Sequence, residues 1–143
     1  MNRRMGAGWG KNNLRLDGKS LLVVSATIEV ATGLALLAVP SALVALLLGS
    51  VLDAPASLAM ARIAGAALLS LGISCWFASR YPKNRAASDV VVAMLLYNFA
   101  AVAILAYGRL GMGLAGIGLW PAIILHAGLA GWCVVSLRQG GVP

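Results

Sequence analysis

Long apolar stretches, broken at a few short polar places, fill the chain after residue 19. Residues 20–39, 57–79, 88–107 and 116–137 each supply about the twenty residues that a helix needs to cross a bilayer core. They are continuous apolar runs, unlike the alternating ten-residue segments of an outer-membrane barrel, so helices are predicted. Pro40 closes the first run, and the next nine residues are apolar but too short to cross. Proline suits the first turn of a helix, so Pro40–Leu48 reads as a short helix at the outer interface, or as the far half of a first helix kinked at Pro40.

The remaining connections, 50–56, 80–87 and 107–116, are brief. Connections of that length make neighbouring helices antiparallel. The predicted fold is all-α: an integral membrane four-helix bundle, up-down-up-down, with a short outer interfacial helix. Its parts are a basic arm (1–19), a transmembrane domain (20–137) and a tail (138–143). Trp9 either anchors the arm at the headgroups or belongs to a disordered tail. Trp76, Phe77 and Tyr81 mark one end of the bundle, and Tyr107 and Trp120 the other.

Composition sharpens this picture. Hydrophobic residues make up 61% and charged residues 10% of the 143, and mean hydropathy is +0.91. A soluble protein is about half apolar and about a quarter charged, so a soluble enzyme, a disordered chain and a free nucleic-acid binder are excluded. The net charge of +7 is unevenly placed. Arg3, Arg4, Lys11, Arg15, Lys19, Arg80, Lys83, Arg85 and Arg138 all fall on one side of a four-span topology. Arg109 alone falls on the other, and Arg62 lies within a span. By the positive-inside rule, both termini and the 80–87 loop are expected in the cytoplasm. A basic segment followed by an apolar run also opens secretory signal peptides, but this run is long and carries Glu29 at its middle, so an uncleaved span is expected.

Several motifs carry less chemistry than their spelling suggests. Gly111, Gly113 and Gly116 spell G-x-G-x-x-G between two spans, without the strand–helix context of a dinucleotide site; a tight glycine loop is the expectation. Cys75 and Cys133, the two cysteines, lie at similar depth near the cytoplasmic face, where buried thiols are the expected outcome. The single histidine, His126, excludes bis-histidine haem ligation within the chain, and no metal site is predicted. No nucleophile–base–acid set is visible, so the chain is not read as an enzyme. Ala61/Gly65 and Ala127/Gly131 have the small-x-x-x-small spacing of close helix contacts.

Polar residues at membrane depth are the informative feature. Each span carries one: Glu29, Arg62, Asn98 and His126. At ~1.5 Å per residue, Glu29, Asn98 and His126 lie about 14–15 Å from the outer side, near the midplane, and Arg62 roughly 7 Å higher. Ser25, Thr32 and Gly33 share the Glu29 face, and Tyr97 adjoins Asn98. Such groups face bundle interiors, pair, or serve a pathway. One buried cluster of Glu29, Arg62, Asn98 and His126 is predicted, with Arg62 reaching down to Glu29 or snorkelling outward.

The chain resembles the small bacterial inner-membrane proteins called DoxX-like. The resemblance rests on EVATG from Glu29 to Gly33 with Pro40 soon after, ARIAG from Ala61 to Gly65, Tyr97-Asn98, and LWPA from Leu119 to Ala122 with His126. It implies a bacterial inner membrane and a helper role beside a quinone-linked redox partner. The small multidrug transporters also place a glutamate in the first of four helices, but are shorter and carry weak charge bias.

Two functions follow. One is an accessory or ligand-binding subunit whose cluster holds a lipid-soluble ligand, such as a quinone or lipid, or fixes packing beside a larger membrane complex or a second copy. The alternative is a small proton-coupled transporter with Glu29 as the exchange site and His126 as relay. The bilayer is the expected partner in either case, and nucleic acid is not.

Overall fold

A computed structural model of the chain describes residues 18–139. Most of the basic arm, with Trp9, and the end of the tail lie outside the described residues. Five helices follow one another: α1 (Gly18–Ala38), α2 (Pro40–Leu48), α3 (Pro55–Ala78), α4 (Arg85–Gly111) and α5 (Leu119–Gln139). Among the described residues there is no strand. Four helices are long and apolar enough to cross a membrane; α2 is not. Their outer faces carry large apolar side chains in the open, among them Leu96, Phe99, Ile104 and Ile124. Water would not tolerate that much apolar surface, whereas acyl chains match it.

Local chemistry sets the helix ends. Val39 leaves helical geometry (φ −135°, ψ 55°), and Pro40 then starts α2. α2 is therefore a separate helix and not a kinked continuation of α1. Its last turn is closed by Gly49 at φ 68°, whose N–H donates to the Ala45 carbonyl. Pro55 starts α3 two residues earlier than the apolar run suggests. Asn84 caps α4, accepting from the Ala86 N–H at 3.4 Å, so α4 begins at Arg85 and consumes part of the expected loop. α4 runs on to Gly111; its 27 residues span about 40 Å, more than a ~30 Å core requires.

The spans form a ring in the order α1, α3, α4, α5. α1 packs chiefly on α3 and α4 chiefly on α5, while lesser contacts close the ring between α3 and α4 and between α5 and α1. The α1–α3 contact is backbone to backbone. A Cβ on Gly33 would stand 2.7 Å from the Gly65 carbonyl oxygen, and one on Gly72 would stand 2.9 Å from the Val30 nitrogen. Small residues permit this approach, and dispersion between the helices rewards it.

The glycine-rich α4–α5 connection docks on α2. Ala115 N–H donates to the Leu48 carbonyl at 3.3 Å, and Gly118 N–H to the Leu46 carbonyl at 2.9 Å. Gly116 lies against the Leu47 carbonyl with no room for a side chain. The G-x-G-x-x-G string thus serves a tight docking turn, and α2 with this turn caps one end of the bundle. The other end carries Lys19, Arg80, Lys83, Arg85 and Arg138, with Gly18 beside the Ser136 hydroxyl.

Gly33→Ala is expected to destabilise the bundle by about 1–3 kcal/mol, because the methyl meets backbone that cannot yield. Gly128, with nothing within 4 Å of a built Cβ, should accept alanine without loss. Thermal unfolding of both variants in detergent checks the contrast; equal stability would refute the seam.

Candidate functional site

Glu29 lies on the α1 face next to the glycine seam. With α1 pulled against α3, that face turns toward the centre of the ring and toward α4. Glu29 is 1% exposed and Ser25, one turn before it, 0%. Tyr97 of α4 lies near enough for its hydroxyl to influence the Glu29 carboxyl. The contact crosses the ring, since α1 and α4 are not neighbours in it.

Asn98, the next residue on α4, is fully buried. Its Nδ2 donates to the Met94 carbonyl at 2.7 Å, which directs Oδ1 toward α5. There His126 Nδ1 lies 2.7 Å from Oδ1. Because Oδ1 can only accept, Nδ1 carries the proton and donates, and Nε2 is left uncommitted. The Tyr97 and His126 rings meet edge to face, with centroids 5.6 Å apart at 84°. Glu29, Tyr97, His126 and Asn98 therefore form one continuous polar string across the bundle. Thr32 is half-buried beside it, and Gly33 belongs to the α1–α3 seam.

Arg62 does not join them. It is exposed, and it is not among the groups that act on the Glu29 carboxyl. The reason is angular: at 100° per residue, Arg62 points about 80° away from Gly72, which marks the packed face of α3. Lying near the capped end, its long side chain can extend to the headgroups instead.

Among the described residues, three buried side-chain atoms have no hydrogen-bond partner: Ser25 Oγ, Glu29 Oε1 and Trp132 Nε1. Buried polar atoms are nearly always satisfied, so these three stand out from the rest of the bundle. They combine a hydroxyl, an acceptor and a donor. The Trp132 indole had no sequence signal, since tryptophan in a span reads as an interface anchor.

Cys75 and Cys133 are free and fully buried. The Cys75 thiol lies close enough to Glu29 and to the Cys133 thiol to interact electrostatically with both. Its centring on α3 follows from its position three residues after Gly72. No group of three or more His, Cys, Asp and Glu side chains among the described residues is arranged to hold a metal ion.

Packing around the string is lopsided. Toward the basic end the bundle is filled by Leu21, Leu22, Ala26, Cys75, Ala87, Val91, Met94, Leu129 and Cys133. Toward the capped end, Leu36, Pro40 and Leu119 are the buried apolar side chains among the described residues. The polar string thus sits on the upper surface of a dense plug.

Comparison of the chain with models of protein families, with curated proteins and with solved structures gives no match. Fold and site together define a multi-pass helical membrane protein with a polar centre.

Asn98→Leu and His126→Phe are expected to be non-additive. Each single change strands the other partner, whereas the double change removes both, giving a coupling of about 0.6–1.7 kcal/mol. Equilibrium unfolding in mixed micelles measures the cycle; additive losses would show that the 2.7 Å contact contributes nothing.

Proposed function

We propose that this chain is an accessory subunit of a bacterial inner membrane that binds the polar head of a lipid-soluble ligand, of the quinone class, at the Glu29–Tyr97–His126 level. The observation that carries the reading is the pair of sealed, unpartnered oxygens on one face of α1, Ser25 Oγ and Glu29 Oε1. A quinone carbonyl accepts from a hydroxyl or an indole N–H, and a quinol hydroxyl donates to a carboxylate oxygen. Ser25 and Glu29, one turn apart on α1, offer a hydroxyl donor and a carboxylate acceptor of that kind. Support also comes from the looser half of the bundle above the polar string, on the side where an apolar tail would lie. The basic end is taken to face the cytoplasm. The DoxX-like resemblance implies the same helper role beside a redox complex.

The alternative, a proton-coupled transporter built on Glu29, gains from one observation: Arg62 does not hold the carboxyl in a permanent ion pair. Substrate flux would then depend on Glu29.

Purification in mild detergent, followed by solvent extraction and chromatography of bound quinone, tests the first reading. The wild-type chain is expected to retain quinone, and Glu29→Gln and Ser25→Ala to lose it, each by about tenfold if one hydrogen bond to the head group is removed. Absence of quinone from the wild type, or equal retention by Glu29→Gln, would overturn it. Flux of a cationic solute into liposomes, driven by a pH gradient and abolished by Glu29→Gln, would establish the transporter instead.

A further inference from the structure

The α3–α4 turn, remote from the polar string, holds a notch of about 280 Å³. Phe77, Ala78, Tyr81, Asn84, Ala87 and Val90 form most of its wall. Phe77, Ala78, Ala87 and Val90 give it apolar wall on α3 and α4, Ser74 adds a hydroxyl on α3, and Tyr81 and Asn84 belong to the turn. The turn is fixed by its own backbone bonds, Arg80 N–H to the Phe77 carbonyl, Tyr81 N–H to Ala78 and Asn84 N–H to Tyr81, at 3.0–3.2 Å. Tyr81 is 71% exposed and Phe77 57%, so neither ring is engaged in the core.

Charge at this mouth is one-sided. Arg80, Lys83 and Arg85 are interleaved in the turn with the lining residues Tyr81, Asn84 and Ala86, and are all exposed. The Arg80 guanidinium stands 5.3 Å from the centre of the Phe77 ring, which holds it over the wall of the notch while its N–H groups stay free to donate. The Asn84 carbonyl oxygen is occupied by its helix cap, which leaves the amide N–H groups of that side chain as donors. Asp89, one turn beyond Arg85, is the one acid at this end among the described residues, against five cations there.

We propose that this notch is a binding site for an anionic glycerophospholipid. Its phosphate would sit among Arg80, Lys83 and Arg85, and one acyl chain would lie along Phe77, Ala78 and Val90. Charge complementarity selects this occupant. A zwitterionic lipid would bring a cation to a mouth that already has three, and an uncharged apolar molecule would leave them unused.

Native mass spectrometry of the full chain in micelles, offered equal phosphatidylglycerol and phosphatidylcholine, tests the site. Wild-type protein is expected to retain phosphatidylglycerol preferentially. Arg80→Gln, Lys83→Gln and Arg85→Gln should each weaken that preference about fivefold and abolish it together. Arg109→Gln, at the other end, should leave it intact. Ala86→Trp, which obstructs the notch and keeps every charge, should also reduce retention, so the test stands even if the triple variant fails to fold. The proposal is overturned by equal retention of both lipids, by loss in Arg109→Gln as large as in Arg80→Gln, or by full retention in Ala86→Trp. Displacement of phosphatidylglycerol by millimolar inorganic phosphate would also overturn it, assigning the cations to a free anion.

Discussion

Backbone contact between α1 and α3 is the constraint on which the rest of the bundle depends. Gly33, Gly65 and Gly72 leave no room for a side chain of their own, so the α1 backbone with Val30 and Leu36 packs directly on the α3 backbone. Hydrocarbon offers no hydrophobic force between helices; close dispersion contact has to supply the attraction. Once α1 is held against α3, its rotation is fixed, and the residues beside the seam have one place to point. Ser25 and Glu29 are thereby turned to the centre of the ring. The polar site is a consequence of the apolar seam.

A carboxyl so placed needs partners at membrane depth, where unsatisfied polar groups are costly. The bundle meets that need partly. Tyr97 addresses the Glu29 carboxyl from across the ring. Asn98 is tied to its own helix at Met94 and so presents a fixed acceptor to His126. That leaves Glu29 Oε1 and Ser25 Oγ unanswered within one turn of each other on α1. A group retained for packing alone would be expected to be either fully satisfied or replaced by an apolar side chain. On the proposed reading, a ligand would complete the set that Ser25 and Glu29 leave open.

Much of this architecture was legible in the amino-acid sequence, for identifiable reasons. Span number and order follow from hydrocarbon thickness and the 1.5 Å rise, which fix how long an apolar run must be. The same arithmetic puts Glu29, Asn98 and His126 at one depth, and the bundle brings Asn98 and His126 into contact there. Pro40–Leu48 emerges with the boundaries that its proline and following glycine dictate. Arg62 falls outside the cluster because small residues on its own side of α3 do not fix which side turns inward: the buried line of α3 is Gly65, Gly72 and Cys75, and Arg62 stands about 80° round from Gly72. Trp132 and the docking of α2 on residues 115–118 depend on contacts between distant segments, which no local pattern encodes.

Routes to the polar string discriminate between the two functional readings. From the basic end, the buried apolar core that includes Leu22, Met94 and Cys133 lies between the string and that surface. At the opposite end, α2 is bonded to the α4–α5 turn through its backbone, which makes a lid of the kind that excludes hydrated solutes. An alternating-access transporter would have to open both in turn, breaking the densest packing in the molecule. A ligand already dissolved in the bilayer needs neither opening. It can enter sideways, between α1 and α5 or between α3 and α4, where the ring is closed by the lesser contacts. Lateral entry therefore demands the smaller rearrangement, and that difference favours a lipid-soluble ligand over a transported ion.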